Sequence, residues 1–248
     1  MNHLTVSHVW DAYLKSQCRY VDSENKEPKK VLPFITISRQ TGSGGITIGE
    51  KLVNYLRGHE QKKTICPSWT LFDRNLIETV LHDHNLPMEF AKFMPEDKVS
   101  ETKDMVEELF GLHPSEWALA HKTSETILHL AQLGNVILVG RGANVITRKF
   151  LSTGFHVRLV GSLEMRIRHV QDYYHLKRDD AASFVKKEDE GRKRYLKQNF
   201  DKDIDDSLLY DVVINTDFIS YDDAAKMIGD QTLCASKTIS IDMNKKAK

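Results

Sequence analysis

The stretch Phe34-Ile-Thr-Ile-Ser-Arg39-Gln-Thr-Gly42-Ser-Gly44-Gly45-Ile-Thr47 decides how this chain folds. Just before and into it, Val31 to Ile37 is apolar and rich in β-branched residues, which predicts a buried strand. After it, Ile48, Leu52, Val53 and Leu56 recur at helical spacing within Ile46 to Leu56. A glycine turn between a strand and a helix lets successive backbone N–H groups face an anion, and the helix N-terminus adds partial positive charge. A phosphate-binding loop is therefore expected over Arg39 to Thr47, with a nucleotide as its guest. Thr41, Gly42, Ser43, Gly44, Gly45, Ile46 and Thr47 would surround the phosphates.

Laid on the pattern GxxxxGK[ST], the loop departs at two key positions: Arg39 stands for the first glycine and Gly45 for the lysine. Amides alone leave much of a phosphate chain's charge uncompensated, so such loops carry a cation. Loss of lysine and gain of arginine within one loop predicts that Arg39 takes the cationic role. Thr47 would help place a magnesium ion, directly or through water; the plainer alternative is an ordinary first-turn threonine.

Outward from the loop, strands alternate with helices. Leu71-Phe72 is a short apolar patch ended by Asp73, with a helix expected at Leu76, Ile77, Val80 and Leu81. Pro87 to Glu116 reads as helical in pieces, and Trp117 to Leu133 as a strong helix stopped by Gly134-Asn135. Val136 to Val139 suits a strand buried on both faces. Phe155 to Val160 is another strand, Ser162 to Tyr174 a helix, and Asp179 to Phe200 a long charged helix or helix pair. Val212 to Asn215 is the last clear strand, followed by a helix from Tyr221 to Gly229. Thr238 to Ile241 is a possible edge strand in a tail expected to be partly disordered. The alternation predicts an α/β fold with a parallel sheet covered on both faces. The expected organisation is an N-terminal helical appendage and linker over 1–30, a nucleotide-binding domain over 31–232 and a basic tail over 233–248.

Composition excludes some classes. The 248 residues are 40% apolar and 28% charged, with a formal net charge of zero, so bulk electrostatics gives no reason to expect nucleic acid or a membrane as partner. No stretch approaches the roughly 20 apolar residues of a membrane span, and Met1 to Asp11 lacks the pattern of a signal peptide. A cytoplasmic location is expected. Cys18, Cys66 and Cys234 form no CxxC pair and read as reduced thiols. The eleven histidines show no metal spacing, and His82 and His84 read as surface residues.

Further charged residues fall where a parallel sheet presents its ligands, beyond the carboxyl ends of the strands. Arg141 follows Val136-Ile-Leu-Val-Gly140 in a second glycine turn and is placed to clamp a phosphate through two parallel N–H bonds. Asp73 should lie on the same rim, to bind a substrate hydroxyl or act as a weak base, or else to cap the next helix. Asp189 and Arg192 share one helix face within Lys186 to Lys197, next to Arg194 and Tyr195. Such a stretch predicts a mobile arginine-bearing lid, with a solvated charged helix as the alternative. Arg166 and Arg168 are weaker candidates.

These residues resemble the cytidylate-kinase-like branch of the P-loop nucleoside monophosphate kinases. The resemblance spans roughly Phe34 to Ile228. It is strongest at Ile37-Ser-Arg39-Gln-Thr-Gly42-Ser-Gly44-Gly45, Phe72-Asp73-Arg74, Gly140-Arg141-Gly142, and Asp189 to Tyr195 with Leu209 to Thr216. It implies a three-layer P-loop NTPase-type sandwich with five parallel strands and a helical lid. It implies ATP and magnesium as donor system and a nucleoside monophosphate acceptor such as CMP or dCMP. On the matching positions it implies that Arg141 holds the acceptor phosphate and that Asp189 and Arg192 contact the acceptor. The true cytidylate kinases have aspartate where this chain has Gly142, so an acceptor contact is missing.

The resulting expectation is a phosphotransferase. Arg39, Asp189, Arg192 and Arg194 are its catalytic candidates, and Asp73, Arg141, Asp189 and Arg192 bind the acceptor. The rivals are a kinase of another small molecule and a nucleotide-binding regulator with little catalysis. Its expected partners are a nucleotide donor and a small phosphorylated acceptor.

Overall fold

A computed structural model describes residues 12–13, 15–17, 32–60, 68–73 and 118–246. The readings made for the linker before Val31, for Cys18, Cys66, His82 and His84, for the helix at Leu76 to Leu81 and for Pro87 to Glu116 lie outside these residues. The elements run β1 (Phe34–Arg39), α1 (Gly45–Gly58), β2 (Thr70–Phe72), α2 (Ala118–Leu133), β3 (Val136–Val139), α3 (Ala143–Arg148), β4 (Gly154–Val160), α4 (Leu163–Tyr174), α5 (Arg178–Phe200), β5 (Val212–Asn215) and α6 (Tyr221–Lys246).

The five strands form one parallel sheet in the order β2-β3-β1-β4-β5. The first strand in the chain is thus the central one. Its outward neighbours come from opposite directions, which opens a crevice at the carboxyl end of β1, where the glycine loop leaves the sheet. Alternate residues serve opposite faces. Phe34 joins Phe72, Val136 and Leu138 under α2 and α3, in a core that also takes in Tyr13. Ile35 and Ile37 join Ile137, Val139, Val157, Leu159 and Ile214 under α1 and α6. This is the expected three-layer α/β sandwich.

A third, smaller core holds α4 against α5 through Ile167, Val170, Ala181 and Val185, with Phe184 at its margin. The charged stretch anticipated as a helix or helix pair is a single helix, α5. With α4 it forms a hairpin carrying its own apolar seam, the helical lid. The hairpin begins at Ser162, whose side chain caps α4 by accepting from the Met165 N–H.

The final helix departs from expectation. Thr238 to Ile241 is helical, not an edge strand, because α6 continues through Gly229 to Lys246. Gly229 does not stop the helix. It permits contact: a Cβ there would lie 2.4 Å from the Tyr55 ring of α1. The glycine lets two helices approach closely and is not a terminator.

A short described part of the N-terminal segment packs on the sheet. Residues 12–13 and 15–17 are helical. Tyr13 is 1% exposed, meets the Phe72 ring edge-on at 5.3 Å between centroids, and donates its hydroxyl to the Gly134 carbonyl.

Candidate active site

A cleft of about 640 Å³ opens at the carboxyl ends of β1, β2 and β3. Its floor is the glycine loop. Gly42 and Gly44 both adopt positive φ, 83° and 79°. A Cβ at Gly42 would lie 2.3 Å from the Arg166 carbonyl oxygen, and one at Gly44 would strike the Tyr221 ring. Side chains are excluded by both conformation and space. What remains is a backbone cradle at the N-terminus of α1, itself capped by Gly44.

Arg39 leaves the end of β1 and turns back over the loop. Its Cγ lies 2.8 Å from where a Cβ of Gly45 would be, and its guanidinium presses against Gly140 in the turn after β3. The arginine stem therefore occupies the room that a side chain at position 45 would need. Burial, then the charge of Arg192, pulls the Arg39 guanidinium well below its ordinary value, to about 9; Arg141 adds to this pull, and Asp73 and Glu188 oppose it. A guanidinium still protonated at neutral pH, half-buried in the cleft and repelled by two others, lies in a region short of negative charge.

The other predicted residues divide into those the cleft collects and those it does not. Thr41, Gly42, Gly44, Gly45, Ile46, Thr47, Asp73, Arg141 and Arg192 line it. Arg141 sits at positive φ, 54°, an uncommon conformation for a side-chain-bearing residue, and its guanidinium lies 5.4 Å from the centre of the Tyr195 ring. Ser43 is turned inward, donating its hydroxyl to the Gln40 carbonyl, so its side chain braces the loop. Arg194 does not line the cleft and is exposed, a correction to its expected place beside Arg192. Two residues along a helix is a turn of about 200°, which carries 194 to the opposite side of α5.

Asp189 holds a different position from the one anticipated. One carboxylate oxygen accepts from both the backbone N–H and the hydroxyl of Thr41, each at 2.7 Å. The other accepts from Arg166 at 2.6 Å, and Arg192 donates to the first at 3.1 Å. Arg166 is buried and also donates to the Thr41 and Gly161 carbonyls. Asp189 thus ties the lid helix to the loop. Arg166, a weaker candidate by sequence, is the clamp behind it. No local signal announces a pairing across 148 residues of chain.

The turn after β3 explains the missing aspartate. Gly142 caps α3 at φ 68°, and a Cβ there would lie 2.8 Å from the Phe200 ring. Any side chain at 142 meets α5.

With this geometry in place, comparison decides the family. The model of the cytidylate kinase-like family matches residues 34–218. The chain belongs to that family. Membership makes it a kinase-like phosphotransferase and leaves its acceptor open. Among solved structures, this cytidylate kinase-like chain is similar to an uncharacterized protein from Eubacterium ventriosum, at 21% identity and TM-score 0.51, covering 82% of this chain and 98% of that one. That likeness concerns the fold. A shikimate kinase from Bacteroides thetaiotaomicron also matches, at 13% identity and TM-score 0.41, over 80% of this chain and 97% of that one. No curated protein matches. Among the described residues of this family member, no helix is long and apolar enough to cross a membrane.

Proposed function

We propose that the chain transfers the terminal phosphoryl group of ATP to a small phosphorylated acceptor, a nucleoside monophosphate such as CMP or dCMP. The observation that carries this reading is Arg39. It lies over the glycine loop in the space denied to a lysine, in one cleft with Arg141, Arg192 and Asp73. Three arginines facing one crevice match a donor triphosphate meeting an acceptor phosphate.

In this reading the amides of the Gly42–Gly45 turn and Arg39 bind the donor phosphates. Arg141 holds the acceptor phosphate, with Asp73 at a hydroxyl or ring edge of the acceptor. Arg192, on the lid, adds charge as the phosphoryl group moves. The P–O bond to the β-phosphate breaks, a new P–O bond forms to an acceptor phosphate oxygen, and ADP leaves. At neutral pH a phosphate monoester oxygen is already largely deprotonated, so the chain needs no dedicated base. Catalysis is positioning and charge compensation.

The cradle of side-chain-free glycines fits a polyphosphate. Magnesium fits as well: Thr47 lies in the first turn of α1 at the cleft, and this ion takes few protein ligands beside substrate oxygens. Thr47 would hold it, and bound magnesium supplies neutralisation of phosphate charge.

A second reading has its own support. Gly142 lacks the side chain that true cytidylate kinases use, and Phe200 crowds the position. This favours a small phosphorylated acceptor other than CMP.

Phosphate transfer from ATP with magnesium, measured across a panel of acceptors, tests both. Transfer to CMP or dCMP supports the first reading, and transfer elsewhere the second. Binding without turnover on any acceptor would leave a nucleotide-binding regulator. Arg39→Ala should weaken donor binding about 10-fold or more, since charge-assisted bonds are worth roughly 1.5–3 kcal/mol. Unchanged affinity by calorimetry would remove Arg39 from the site.

A further inference from the structure

We infer that Tyr195 of the lid helix is a positioning residue for the acceptor phosphate: its ring face holds the Arg141 guanidinium in place. The inference rests on the reading of Arg141 as the residue that takes that phosphate.

Three successive residues of the turn after β3 adopt positive φ: Gly140 at 89°, Arg141 at 54° and Gly142 at 68°. Only the middle one bears a side chain, in a conformation that long residues rarely adopt. Such a turn persists where its surroundings over-determine it. Both flanks are packed here. The Arg39 guanidinium presses against Gly140, and a Cβ at Gly142 would lie 2.8 Å from the Phe200 ring and 3.2 Å from a Leu196 methyl. The backbone is thereby fixed from two sides, which leaves the Arg141 side chain to be aimed. Its guanidinium lies 5.4 Å from the centre of the Tyr195 ring. Both side chains are half-buried and line the cleft.

Helical spacing accounts for the ring's place. Asp189, Arg192 and Tyr195 follow one another three apart, on one face of α5. Asp189 fixes that face to the glycine loop through Thr41. Leu196 and Phe200 seat the following turn on Gly142. Tyr195 lies between the two anchors. Among the described residues it belongs to none of the three apolar cores. It meets Phe200 at 69° with centroids 6.2 Å apart. Core packing therefore does not account for it, and its contact with Arg141 does. The aromatic partner has a chemical consequence. A carboxylate set against an arginine takes its in-plane N–H groups and cancels its charge. A ring face attracts the cation through its quadrupole and leaves the guanidinium edge to an anion, which a two-bond phosphate clamp requires. Because the ring belongs to the lid helix, Arg141 is aligned when α5 is seated on the loop.

NMR of the full chain with ADP and magnesium, titrated with inorganic phosphate, tests this at the Arg141 side chain, whose signals are assigned by their loss in Arg141→Lys. In wild type the Arg141 Hδ and Hε signals should lie upfield of ordinary arginine, displaced by the ring current, and should move as phosphate is added. Tyr195→Leu should return them to the ordinary position and raise the half-saturating phosphate concentration about 3- to 10-fold. Its ADP affinity by calorimetry should equal wild type, and Tyr195→Phe should restore both signal position and phosphate affinity. Wild-type signals at the ordinary position overturn the inference without recourse to any variant. A Tyr195→Leu titration equal to wild type overturns it too, as does loss of phosphate and ADP affinity by the same factor, the mark of a general lid defect. Wild-type Arg141 signals that phosphate does not move overturn the reading of Arg141 itself.

Discussion

Arg39 and Gly45 are two halves of one solution. The arginine stem lies where a side chain at 45 would begin, so the two positions cannot both carry long side chains. Gly45→Lys should therefore not restore an ordinary loop. It should cost about 1–3 kcal/mol by overpacking, read as a lowered urea midpoint. The double variant Arg39→Ala with Gly45→Lys should be less unstable than the sum of its parts and bind tripolyphosphate more tightly than Arg39→Ala alone. Strict additivity would mean that the two residues do not compete for space. Half of this was legible in the sequence. The missing lysine and the new arginine stood out against the pattern, but the collision between them depends on where the stem turns, which no spacing reveals. Gly142 is similar: its departure from the family pattern was visible, whereas the Phe200 ring that enforces it is 58 residues away along the chain.

At the scale of elements, the α4–α5 hairpin is held to the loop by Asp189. Its carboxylate accepts from Thr41, Arg166 and Arg192 together. Asp189→Asn keeps the shape and removes the charge opposite the buried Arg166. The expected loss of stability is below the about 3–5 kcal/mol of a fully buried broken pair, because the Asp189 side chain is 27% exposed. Equilibrium urea unfolding measures it, and a change under a few tenths of a kcal/mol would show that the tie is ornamental. Element existence was readable where a physical signal was strong. The apolar runs Val136–Val139 and Val212–Asn215 were found at their observed bounds, since both are short, β-branched and sharply flanked. The last helix was misjudged for the opposite reason. Thr238 to Ile241 alternates like a strand, but propensity is a weak prior, and the helix expected to end at Gly229 runs on through it because that glycine serves helix contact. Arg194 was misplaced because sequence proximity to Arg192 is not proximity on a helix.

For the whole molecule, pH dependence should be set in part by His156, which is buried in β4 and shares a hydrogen bond with Thr36 of β1 at 2.8 Å. Burial pulls the imidazole from 6.5 to about 4; Asp211 opposes this and Arg148 adds to it. The folded chain keeps the ring neutral while the unfolded chain binds a proton below 6.5. Its contribution is intact above that value and is lost as pH falls from 6.5 through 4, by up to about 3 kcal/mol. Chemical denaturation at pH 7 and pH 4.5 should show the fall, and His156→Gln should flatten it. A wild-type profile level over that window would contradict the assignment.

The ring of Tyr13, seated against Phe72, bears on how the protein can be divided. The segment recognisable by kinship, 34–218, omits both that ring and the helix beginning at Tyr221 that walls in Gly44. Evolutionary signature and folding unit have different borders here. A clone trimmed to the signature would lose a plug under the strand that presents Asp73 and the buttress beside the anion cradle, and its silence in an assay would report the cut and not the chemistry.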